Sequence, residues 1–200
     1  MTPTFFGSEP VIATSGKYAG LSILQDEQRQ GLAFVNGLNA SQRAAAILRT
    51  SKTANDNVGE AFKDNVVLDY AGVRASALDP AQRRALVDLV RLYVSNMDDG
   101  HAKVKMSEVE QHLDETSFAW IGSTGPDSVF YYRIHSPVVL IEFDHQLPVG
   151  TRHLAKDPKA PMREHVHVVI RTPNGNDYGK DLLRQHHAEH RHDASHGHAR

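Results

Sequence analysis

The chain has no cysteine among its 200 residues. That absence excludes disulfides, thiolate zinc sites, iron–sulfur clusters and cysteine nucleophiles, so any metal must be held by imidazole, carboxylate or carbonyl groups. It also fits a reducing compartment. A charge of one sign is missing as well, because 22 Lys and Arg against 24 Asp and Glu leave a formal charge of -2. Such a chain offers no basic field for nucleic acid and no polybasic stretch for anionic lipid, and neither is expected as a partner. The longest apolar runs fall far short of the roughly 20 residues that span a bilayer. MTPTFFGSEP lacks the charged start and apolar run of a signal peptide, so a soluble, cytoplasmic protein is expected. G-x-S-x-G, H-E-x-x-H and dinucleotide fingerprints are all absent.

Histidine, in contrast, is plentiful. There are 13, six of them from His186 onward. The apolar share of 40% is ordinary for a globular protein, and 200 residues suffice for one domain.

Residues 1–20 read as a loop-rich lead-in. Apolar spacing predicts a helix over 22–38, in which Ile23, Leu24, Leu32, Val35 and Leu38 share a face. A second helix is expected with Ser41 as N-cap, running through Ala44, Ile47 and Leu48. Residues 50–57 are polar and read as a loop; 62–70 are apolar and of undetermined type. Asp79 as cap and Pro80 at the first helical position start a further helix with Leu86, Leu89, Val90 and Val94 buried. Asp98-Asp99-Gly100 is a turn signal, and Ser107 with Glu110 reads as the capping box of another helix. The echo between LNASQRAAAIL and LDPAQRRALVDLV is read as shared capping chemistry.

The character then changes. VFYYRI (129–134) and VVLIEF (138–143) predict a hairpin around His135-Ser136-Pro137, and EHVHVVIR (164–171) a third strand. Asn174-Gly175-Asn176 reads as a turn, with a small anion-binding nest as the lesser alternative. A short helix over 181–189 and a disordered His-rich tail over 190–200 complete the reading. The expected fold is α+β: N-terminal helices, a small antiparallel sheet and a short C-terminal helix, in a single domain over 1–189.

His165-Val166-His167 is the most specific local feature. Side chains two apart on a strand share a face, so both imidazoles can reach one ion, with Arg171 on that face and Val166, Val168 and Ile170 on the other. On the preceding strand Glu142 and Asp144 share one face and His145 takes the other. Two imidazoles plus a carboxylate on adjacent strands suit zinc, manganese or iron. Without the register, either Glu142 and Asp144 or His145 can be the set that meets His165 and His167. The tail histidines read as an accessory, unselective metal binder.

PTFFGSEP (3–10), DNVVLDYAG (64–72), DDGHAKVKMSEVEQHLDETSFAWIG (98–122), VFYYRIHSPVVLIEFDHQ (129–146) and REHVHVVIRTPNGNDYGKDLLRQH (163–186) resemble the uncharacterised family known as domain of unknown function 3500. The resemblance implies no activity. It implies that this chain matches the C-terminal part of longer members, with an N-terminal Asp-Gly-His-His region absent.

Together these readings predict a metal-dependent enzyme, hydrolytic or oxidative, acting on a small molecule. His165 and His167 are the candidate ligands, with His145, Glu142 or Asp144 completing the set; Glu142, Asp144 and Arg171 are the candidate catalytic residues, Arg171 as the anchor for an anionic substrate. The rivals are a non-catalytic binding or structural module and a fragment of a longer protein.

Overall fold

Asp79 opens the longest helix as the sequence anticipates: its carboxylate accepts from the Ala81 and Gln82 amides, Gln82 returns the bond to the Asp79 amide, and Pro80 takes the first turn. The computed structural model describes residues 2–59, 67–153, 155–173, 177, 186, 188 and 189. Within them lie helices α1 (Gln25–Asn36), α2 (Ala40–Ala46), α3 (Pro80–Val94) and α4 (Asp99–Gln111). The strands are β1 (Thr4–Ser8), β2 (Ile47–Arg49), β3 (Val73–Arg74), β4 (Ser117–Gly122), β5 (Phe130–His135), β6 (Leu140–His145) and β7 (Val166–Arg171).

The seven strands form one mixed sheet in the order β1-β7-β6-β5-β4-β2, with β3 also paired to β4. All neighbours are antiparallel except β2 and β4. This corrects the expectation of N-terminal helices followed by a small antiparallel sheet: strands alternate with helices, and β1, β2 and β3 come from the first half of the chain. Two of these strands have only three and two residues, too few to show a period. β1 falls in the stretch read as lead-in, and it becomes a strand by pairing with β7, more than 150 residues away, from Thr4↔Ile170 to Ser8↔Val166. Gly7 is needed there, because a Cβ would run into the Val166 carbonyl.

Two helix starts also move. α2 is capped by Asn39, in a capping box with Gln42, rather than by Ser41. α4 begins at Asp98, whose side chain accepts from the Gly100 amide, so Ser107 lies inside the helix. The short helix expected over 181–189 and the turn at 174–176 fall mainly or wholly outside the described residues, as does the tail. No helix among the described residues is long and apolar enough to cross a membrane.

One face of the sheet is packed by the helices. Phe118, Trp120, Phe130, Tyr132, Ile134, Ile141, Phe143, Val166, Val168 and Ile170 meet Phe34, Val35, Leu86, Leu89, Val90 and Val94 in a continuous core. Each large apolar side chain removed from water there contributes about 1.5–3 kcal/mol. Because successive strand residues alternate, the opposite face carries the polar set of β5, β6 and β7. That face holds the candidate site.

Candidate functional site

The register answers the question that parity leaves open. Arg133 lies opposite Glu142, Tyr131 opposite Asp144, and Asp144 opposite His167. Glu142 and Asp144 therefore share the polar face with His167 and Arg171. His145 points into the helix-packed core, so His145, His165 and His167 do not form a triad. There the His145 ring accepts the Phe130 amide at Nδ1 (2.9 Å) and stands 2.7 Å from Gln28 Oε1 at Nε2. This pattern fixes the neutral tautomer with the proton on Nε2. Burial, then the charges of Arg163 and Lys52, hold its pKa down at about 3.

The two carboxylates are buried and satisfied by a strap, residues 52–59, lying across them. Glu142 accepts from the Val58 amide at 2.8 Å, the Gly59 amide at 2.5 Å and the Tyr131 hydroxyl at 2.5 Å. Asp144 accepts from the Asp56 amide at 2.7 Å, the Asn57 amide at 3.0 Å and the Gln146 side chain. Lys52 Nζ, itself fully buried, stands 2.8 Å from Asp144 Oδ1 and 3.2 Å from Asp56 Oδ2. Burial raises the pKa of Asp144 to about 6 while Lys52 and the strap amides pull against it. Glu142 is likewise raised by burial, opposed by Tyr131 and the amides of Val58 and Gly59. At Gly59 a Cβ would press on Glu142 Oε2, so any larger residue there would require the carboxylate or the strap to shift.

Arg171 closes the strap from the other strand. Its Nε donates to the Gly59 carbonyl and its Nη1 to Asp177 Oδ2 at 2.6 Å, with the side chain fully buried. The guanidinium expected to anchor a substrate holds the strap and Asp177 together.

His165 and His167 do meet. Their Nε2 atoms are 3.0 Å apart, and His165 Nδ1 lies 2.6 Å from the Leu147 carbonyl, to which it donates. With that proton fixed on Nδ1, the His165 Nε2 carries a lone pair toward His167. Burial and then His165 lower the His167 pKa to about 4. Glu9 Oε2 lies 3.4 Å from His165 Nδ1, but the carboxylate is taken up by the Val149, Gly150 and Thr151 amides and the Thr151 hydroxyl. Among the described residues no group of three or more histidine or acidic side chains converges on one point.

Residues that the sequence reading did not single out complete this face. Tyr131, Arg133 and His135 alternate along β5, so the same parity argument used for His165 and His167 would have found them. Lys52 and Glu9 carried no such signal: each lies in a segment without periodicity and reaches the site only through the fold. No curated protein and no solved structure matches the chain. A family model described as a protein of unknown function (DUF3500) matches residues 1–180, and the chain belongs to that family.

Proposed function

We propose that the protein is a metal-dependent enzyme acting on a small molecule, with His165 and His167 as the protein ligands to a divalent ion. One observation carries the reading: the two Nε2 atoms stand 3.0 Å apart with His165 oriented through its far nitrogen by the Leu147 carbonyl. Two ring nitrogens on one tetrahedral zinc at about 2.1 Å each would be roughly 3.4 Å apart, so a small ring rotation admits the ion. The orienting bond at the other nitrogen is the usual companion of a metal-ligating imidazole. The remaining coordination positions would be open to water and substrate, where a bound ion makes water a nucleophile or polarises an oxygen of the substrate. In this reading Glu142, Asp144 and Arg171 act as positioning groups that seat the strap beside the ion.

The test compares the full chain with the His165→Ala/His167→Ala variant after zinc loading and dialysis against a weak chelator. Any binding by the tail is common to both and cancels. The expected difference is one equivalent of metal per chain, with the near-ultraviolet dichroism of the buried Trp120 unchanged. Equal metal content in two folded proteins overturns the assignment and favours the rival, in which the pair shares one proton in a structural hydrogen bond.

A further inference from the structure

The segment between β6 and β7 carries positive charge that nothing in the described chain answers. Residues 149–160 hold three Lys or Arg, one His and one Asp, in a chain whose formal charge is -2. The Arg152, His153 and Lys159 side chains line a cavity of about 590 Å³ together with Val149, Gly150 and Pro158. Among the described residues none of these three side chains makes a hydrogen bond or an ion pair. Asp157 does not neutralise them, because its Oδ1 accepts from the Lys159 amide at 2.9 Å and so serves the turn. The segment is fastened on both sides. Glu9, just past β1, accepts from the Gly150 and Thr151 amides at 2.9 and 2.8 Å and from the Thr151 hydroxyl at 2.6 Å. The Met162 amide donates to the Gln146 carbonyl at 3.0 Å. Glu9 is thus met by the backbone and pairs with none of the three cavity side chains. Its Oε2 lies 3.4 Å from His165 Nδ1, so one carboxylate separates the cavity wall from the histidine pair.

Two like charges gathered around one cavity repel each other, and an anion seated between them reverses the sign of that interaction. The cavity is of the size that holds a small molecule. Val149, 75% exposed, and Pro158 give it an apolar wall beside the cations. Arg171, the anion anchor expected from the sequence, is taken up by the strap and Asp177, whereas Arg152 and Lys159 are free. We propose that Arg152, His153 and Lys159 form a binding site for the phosphate group of a small phosphate monoester, with the organic part against Val149 and Pro158. A guanidinium fork, an ammonium and an imidazole N–H supply donors from three directions, which suits a tetrahedral dianion better than a planar, singly charged carboxylate. As the substrate class of the proposed enzyme this inference rests on the metal reading; as a binding site it stands without it.

The experiment is isothermal titration calorimetry of the metal-free full chain with phenyl phosphate, at fixed ionic strength and about pH 7.5, where a phosphate monoester is a dianion. Inorganic phosphate and benzoate are titrated alongside. The expected result is one saturable site for phenyl phosphate, with inorganic phosphate weaker for want of the apolar contact and benzoate weaker for want of the second charge. Arg152→Gln and Lys159→Gln should each weaken phenyl phosphate at least about tenfold, the loss of one charge-assisted hydrogen bond. Both side chains are exposed, so neither substitution disturbs the core. No saturable binding, an affinity that both substitutions leave unchanged, or inorganic phosphate or benzoate bound as tightly as phenyl phosphate overturns the proposal. The titration is made without metal and the zinc comparison without phosphate, so failure here and failure of the histidine assignment are separately visible.

Discussion

His145 gives the sharpest quantitative expectation, because its ring is neutral, buried and bonded at both nitrogens. Protonating Nδ1 would break the bond from the Phe130 amide and place a cation in an aromatic core beside Phe130 and Phe143. Its pKa in the fold, about 3, lies below the ordinary 6.5. For such a depressed histidine the unfolded chain takes up its proton first as pH falls. The stabilisation is therefore complete above pH 6.5 and is lost progressively below it, down to about 3. One proton of difference corresponds to about 1.4 kcal/mol per pH unit, which integrates to about 2 kcal/mol between pH 7 and pH 5. Replacing His145 with Gln removes this linkage. Urea unfolding of the protein and of His145→Gln at pH 7, 6 and 5 should show the wild type losing about 2 kcal/mol more than the variant over that range. Parallel pH dependences would refute the buried, neutral assignment of this ring.

Other expectations follow from the strap and the core. Asp144→Asn retains the shape but makes poorer acceptors for the Asp56 and Asn57 amides and leaves Lys52 without its closest carboxylate; hydrogen exchange at those amides should quicken. The raised pKa of Asp144 works in the opposite sense to that of His145, since the folded state holds its proton up to about pH 6. The contribution of this carboxyl is full below about 3.8 and declines as pH rises toward 6, so in Asp144→Asn the acid loss of stability between those values should be steeper than in the wild type. Gly31 lies against the Tyr132 ring, into which a Cβ would project; Gly31→Ala should cost about 1–3 kcal/mol by overpacking, despite the better helix propensity of alanine, as read from the thermal midpoint.

Strand parity made much of the polar face legible. It separated Val166, Val168 and Ile170 from His165, His167 and Arg171, and it put Glu142 and Asp144 on one side of their strand with His145 on the other. The same alternation in β5, read through, would have added Tyr131, Arg133 and His135. Local chemistry was equally legible at α3, where the cap, the proline and the buried stripe all lie within the helix that they specify.

Which faces of neighbouring strands coincide was not legible, because register is set by pairing between segments far apart in the chain and a shift of one residue exchanges the two sides of a strand. Only the tertiary structure put His145 in the core and Asp144 opposite His167. The same holds for β1, β2 and β3, whose few residues carry no period of their own and become strands because an existing sheet offers them hydrogen-bond partners. The strap is the clearest case. Lys52 and residues 56–59 look like an ordinary polar loop, and they gain their role only because two buried carboxylates and one guanidinium, each needing partners in a dry interior, lie directly beneath them. The amino-acid sequence by itself determined which side chains can act together along a strand; the packing of distant segments decided which of those groups are free and which are already bound.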